Sequence, residues 1–95
     1  MAKGTAMGVI KLFWKDKCPR CPQAKEVGGI LQKEGYTVLD YNVETAEGLA
    51  EATFYSVQAT PTFILEDPEE NAIADFRGEV PRAQKLKDLL DNCQN

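Results

Sequence analysis

The chain contains no histidine and only three cysteines, Cys18, Cys21 and Cys93. Structural zinc takes four ligands, usually Cys or His. One chain therefore falls short of such a site even with every thiol counted. Three thiols are also too few for the disulfide frameworks that hold small secreted domains together. A close pair in such a chain reads instead as catalytic or metal-binding. Long apolar runs are missing too. Leu12-Phe13-Trp14 and Phe63-Ile64-Leu65 are among the longest, against about 20 residues for a membrane-spanning helix. Met1 to Gly8 lacks the apolar core of a signal peptide, which makes the cytoplasm the expected compartment. Basic residues are in deficit, 11 against 15 acidic, for a formal charge of −4, and they form no cluster. An acidic chain repels phosphate backbones, so neither nucleic acid nor a membrane is expected as a partner. There is no internal repeat and no low-complexity segment.

Ninety-five residues leave room for one core, so the expectation is a single domain over 1–95, with 1–7 as a loose lead-in. Val9 to Trp14 is short and rich in β-branched and aromatic residues, as a buried strand is. From Pro19 the pattern turns helical. Cys21, Ala24, Val27 and Leu31, with Ile30 beside them, recur at spacings of three and four, and Arg20, Gln23, Glu26 and Lys33 fall on the other side. Pro19 suits the first helical position. Gly28-Gly29 weakens the middle by roughly 1 kcal/mol per glycine relative to alanine, for which close packing on a sheet is one reason. Gly35 is the expected stop.

Tyr36 to Val43 reads as a second strand. Thr45 is placed to cap a helix over Ala46 to Tyr55, with Leu49, Ala50 and Thr53 facing inward. A third strand follows Pro61, a turn spans Asp67 to Asn71, and Ala72 to Phe76 forms a fourth strand. Pro81 opens a last helix in which Ala83, Leu86, Leu90 and Cys93 share a face. The order is β-α-β-α-β-β-α, an α/β class. A strand, crossover helix and strand make the first two strands parallel. The tight turn makes the last two antiparallel. Three helices then cover both faces of a four-stranded mixed sheet, with the cysteine pair at the edge where such sheets bind ligands.

With Cys18 as N-cap, its sulfur would lie beside unpaired backbone N–H groups and the positive end of the helix dipole. Such placements lower a thiol from about 8.5 to roughly 3.5–7.5. Lys17 and Arg20 add positive charge. Cys21, one turn in, is close enough to bridge and should be the more buried. That suits a dithiol in which Cys18 attacks a disulfide and Cys21 resolves the mixed disulfide. Other readings remain: half of a metal site shared between two chains, such as an iron–sulfur cluster bridging a dimer, or two structural cysteines. Cys93 is either core packing or a regulatory thiol. Trp14 either packs in the core or flanks the active-site surface. Lys15 is either a solvated lysine at a strand end or a contact to an anionic group on a substrate.

Three blocks in order carry a resemblance. "CPRCPQAK", Cys18 to Lys25, resembles the CPxCxxAK pattern of glutaredoxins. "VQATPTFIL", Val57 to Leu65, resembles the stretch around the cis-proline of thioredoxins, and "FRGEVPRAQKLKDLL", Phe76 to Leu90, looks like the thioredoxin C-terminal strand, glycine turn and helix. The chain is thus similar to the thioredoxin and glutaredoxin superfamily from about Val9 to Leu90. The resemblance implies the thioredoxin fold and a thiol–disulfide oxidoreductase acting on protein or peptide disulfides. It also implies a cis bond before Pro61, with the backbone of Thr60 pairing with an extended substrate segment. No metal or organic cofactor is expected, the Cys18–Cys21 disulfide being the redox centre, and a monomer is expected.

The chain departs from the family in places. Lys17, not tryptophan, precedes Cys18. The buried acid of thioredoxins falls at Leu12. The glutathione-holding Gly-Gly and acid of glutaredoxins correspond here to "ADFRGEVP", with one glycine, although Lys15 matches the basic position of that site. A thioredoxin-reductase-like flavoprotein is therefore the expected reductant. Glutathione, an iron–sulfur-bridged dimer and a non-catalytic binding module of the same fold are the alternatives.

Overall fold

The structure, a computed structural model, describes residues 8–92. The lead-in expected at Met1–Met7 and Cys93 lie outside the described residues. The elements are β1 (Val9–Trp14), α1 (Cys21–Lys33), β2 (Thr37–Asn42), α2 (Ala46–Phe54), β3 (Thr62–Glu66), β4 (Ala72–Arg77) and α3 (Ala83–Asn92). One sheet runs in the order β2-β1-β3-β4. β1 is parallel to β2 and antiparallel to β3, and β4 is antiparallel to β3. Among the described residues no helix is long and apolar enough to cross a membrane.

Alternation along β1 and β3 sends side chains to both faces of the sheet. Ile10, Leu12, Phe63 and Leu65 meet Ala24 and Leu31 of α1 and Leu86 and Leu90 of α3 in the larger core. Phe13 and Ile64 meet Ala52 of α2 on the other face. β3 is buried along its whole length, as a central strand covered on both sides must be.

Three expectations are corrected. α1 begins at Cys21 with Arg20 as N-cap, so Pro22 rather than Pro19 occupies the first turn and Cys18 is not the cap. Pro22 has no N–H to give to the Cys18 carbonyl, as an α-helix starting at residue 19 would require. That carbonyl instead accepts from Cys21 N at 3.2 Å, and the first α-helical bond runs from Ala24 N to the Arg20 carbonyl at 3.0 Å. Second, Ile30 is 43% exposed, and Gly28 takes the sheet-facing position. A Cβ there would meet Leu12 Cδ2 at 3.4 Å.

Third, α2 is rotated from the expected orientation. Leu49 is 56% exposed, Ala50 and Thr53 are exposed, and Gly48 and Ala52 are buried. The cause is close approach: a Cβ at Gly48 would overlap the Asn42 carbonyl at the end of β2. Thr45 does cap this helix, its hydroxyl accepting from Gly48 N at 3.0 Å. Smaller shifts occur at α3, which starts at Ala83 rather than at Pro81. Gly35 ends α1 with φ +95°, and Tyr36 N returns to the Leu31 carbonyl at 3.0 Å.

Candidate active site

Chain direction and register bring separate segments to one end of the sheet. β1 delivers Trp14 and then the loop carrying Cys18. The pairing of Phe13 with Thr62 puts Pro61, the residue just before β3, at that same end. Cys18 and Cys21 are joined in a disulfide with their Cα atoms 5.3 Å apart. Both are buried, Cys21 at 2% exposure slightly more than Cys18 at 5%. The bond ties the Cys18 sulfur to the first residue of α1. It sits at that helix end through the bridge, not as a cap.

The Thr60–Pro61 peptide is cis. Its loop is tied at two points: the Thr62 hydroxyl donates to the Ala59 carbonyl at 2.7 Å, and Gly78 N donates to the Pro61 carbonyl at 2.7 Å. Pro61 is buried and Thr60 is half-buried.

Two clefts flank this end. One, of about 290 Å³, is lined by Trp14, Lys15, Asp16, Cys21, Pro22 and Lys25. The other, of about 140 Å³, includes Lys15, Gln58 and Thr60 together with apolar side chains of α2. Lys15 thus belongs to both. Lys17 and Arg20 are exposed and line neither cleft. Among the described residues no group of three or more His, Cys, Asp or Glu could hold a metal ion.

The residue pattern alone does not assign Lys25 or Asp40 to the site. The Lys25 ammonium stands 3.7 Å from the centre of the Trp14 ring, and the Trp14 indole N–H donates to Asp40 Oδ1 at 3.3 Å. The spacing of Lys25 four residues after Cys21 is a visible signal. The pairing that sets Asp40 beside Leu12 is not, because register between strands is a tertiary property.

The other polar network lies away from the cysteines. Lys11 Nζ donates to Tyr55 Oη at 2.6 Å and to Glu51 Oε2 at 3.1 Å and stands 3.5 Å from Glu66 Oε1. The Tyr55 hydroxyl donates to Glu66. Glu66 pairs in register with Val9, at the far end of β1. Burial alone would lower the Lys11 pKa. The hydrogen bonds to Tyr55 and Glu51, with the charge of Glu66, outweigh it and raise that pKa. Burial, and then the bond to Glu66, raises the Tyr55 phenol.

No protein-family model matches the chain. Over 62 residues it is 36% identical to a protein of Archaeoglobus fulgidus named "Probable Thioredoxin", covering 64% of this chain and 68% of that protein. The fold is similar to that of a mutant thioredoxin from Halobacterium salinarum, with TM-score 0.79 and 24% identity over 97% of this chain and 79% of that one. It is also similar to a thioredoxin from Thermus thermophilus, with TM-score 0.67 and 29% identity over 92% of this chain and 74% of that one.

Proposed function

Because this chain belongs to the thioredoxin superfamily, we propose that it is a thiol–disulfide oxidoreductase that reduces protein or peptide disulfides. Cys18 is the nucleophile and Cys21 the resolving thiol. The observation that carries this reading is the Cys18–Cys21 disulfide at the sheet end that also holds the cis Thr60–Pro61 loop. In the reduced protein the Cys18 thiolate attacks one sulfur of a substrate disulfide. The other substrate sulfur leaves as a thiolate and takes a proton. Cys21 then attacks Cys18, the second substrate sulfur leaves, and two electrons have passed to the substrate. The backbone of Thr60 would pair with the extended substrate segment beside Pro61, with Trp14 flanking that surface. Lys17 and Arg20, exposed on the loop that carries Cys18, favour its thiolate.

The reductant in this reading is a thioredoxin-reductase-like flavoprotein, and the setting is the cytoplasm, where thiols are kept reduced. One observation favours glutathione instead: Lys15, Gln58 and Thr60 share the smaller cleft, which suits a carboxylate arm. Insulin reduction coupled to NADPH through thioredoxin reductase, or through glutathione and its reductase, separates the two. Turnover with the flavoprotein is expected. Turnover with glutathione alone, slowed by Lys15→Gln, would transfer the assignment to the second reading. No turnover with either would reject both in favour of a non-catalytic module. Cys21→Ser should hold the substrate on residue 18 as a covalent adduct visible by mass spectrometry.

A further inference from the structure

Resolution of the mixed disulfide requires Cys21 to lose a proton, yet Cys21 is 2% exposed, and burial disfavours the charged form of a thiol. The ionisable groups that share a cleft with Cys21 are Lys15, Asp16 and Lys25. Lys15 and Asp16 are adjacent, exposed and of opposite sign on the loop after β1, so their fields largely offset one another. Lys17 and Arg20 lie on the same loop but outside that cleft. Lys25 differs from all of these. It stands four residues after Cys21 on α1, the spacing that places two side chains one above the other on a helix face. It is also held in place, with its ammonium over the Trp14 ring and Trp14 fixed in turn by Asp40 of β2. A long, flexible side chain is thereby held at the cleft that Cys21 also lines.

We propose that Lys25, positioned by Trp14 and Asp40, stabilises the thiolate of Cys21 while that thiol resolves the mixed disulfide. The inference rests on the oxidoreductase reading above. In the step, the Cys21 proton passes to water in the cleft, and the sulfur electron pair attacks Cys18 Sγ. The bond from Cys18 to the substrate sulfur breaks. The substrate leaves as a thiolate and is protonated by solvent. Lys25 keeps its proton throughout and acts by charge alone, as a positioning residue for the reacting sulfur.

The test uses protein carrying Cys18→Ser and Cys93→Ala, so that residue 21 is the sole thiol. Its alkylation by iodoacetamide is followed by mass spectrometry across a pH series. Lys25→Gln should slow alkylation at pH 7 about 3- to 10-fold and move the profile to higher pH, the size expected of one charge near a thiol at a solvated site. Lys25→Arg should restore it. Trp14→Leu, which removes the ring under the ammonium and leaves every charge in place, should give part of the loss, and the effect of Lys25→Gln should shrink at about 0.5 M salt, where charges are screened within a few ångströms. Superimposed profiles with and without Lys25→Gln overturn the proposal. Insulin reduction by the unsubstituted protein is measured in parallel. Turnover there with superimposed profiles sinks the role of Lys25 alone, whereas no turnover with shifted profiles sinks the oxidoreductase reading and the resolving step with it, leaving only a charge effect of Lys25 on the thiol.

Discussion

Cys18 sits in a turn two residues ahead of the helix cap, and Pro22 is the reason. With residue 22 unable to donate, the Cys18 carbonyl closes a tighter turn on Cys21, and the peptide dipoles of α1 start farther along the chain from Cys18 than a capping geometry would place them. Pro22→Ala restores the missing N–H and should let α1 begin two residues earlier, at Pro19. A helix terminus stabilises a nearby charge by about 0.3–1 kcal/mol. The Cys18 thiol should therefore titrate lower by about 0.2–0.7 pH units. Alkylation of residue 18 in a Cys21→Ser, Cys93→Ala background reads this directly, and an unmoved midpoint would show that the dipole does not govern that sulfur. Cys18→Ser itself should bring insulin reduction down to the buffer rate.

The helices show how single glycines set the orientation of an element. Gly48 lets α2 settle against the end of β2, and the helix turns until Gly48 and Ala52, not Leu49 and Thr53, meet the sheet. Gly48→Ala should lower stability by about 1–3 kcal/mol, the usual range for forcing a methyl into a packed contact. Urea unfolding measures it. Gly29 is the opposite case. A Cβ there meets nothing within 4 Å, and the residue lies inside α1, where alanine is the better helix former. Gly29→Ala should raise stability by about 0.5–1 kcal/mol. A loss at Gly29 would show that the helix needs a break there, the alternative the Gly-Gly pair suggests. Hydrophobic spacing locates both helices. It misjudges which residues point inward because a missing side chain contributes no hydrophobic signal.

For the molecule as a whole, the Lys11 network joins α2 to β1 and β3 at the end opposite the cysteines. Lys11 and Glu66 are its most enclosed members, with side-chain exposures of 14% and 6%, and Glu51 is more open at 31%. Removing one partner of such a pair leaves the other charge unpaired. Lys11→Met should destabilise the fold by about 3–5 kcal/mol, read as a drop in the denaturation midpoint. The pH dependence has a definite sign. Lys11 and Tyr55 both titrate higher in the folded protein than in the unfolded chain. Their contribution is complete below the unfolded values of about 10 and is lost as pH rises through the folded ones. Unfolding should therefore set in on the alkaline side, above about pH 10. Lys11→Met should flatten that limb, and an unchanged limb would place the alkaline sensitivity elsewhere.

Local chemistry makes much of this protein legible in its residues alone. Strand β1, the proline before β3, the Thr45 cap, the element order and the Cys18–Cys21 pair all follow from propensity, spacing and turn residues, which act over a few positions. The cis geometry at Pro61 enters through resemblance, not from residue type. Three features belong to the tertiary structure: the close contact of Gly48 with Asn42, the Lys11 network, and the alignment that brings Asp40 to Trp14, over whose ring the Lys25 ammonium stands. Each depends on the distance and register between segments far apart in the chain, and those are decided only when the sheet and helices pack together.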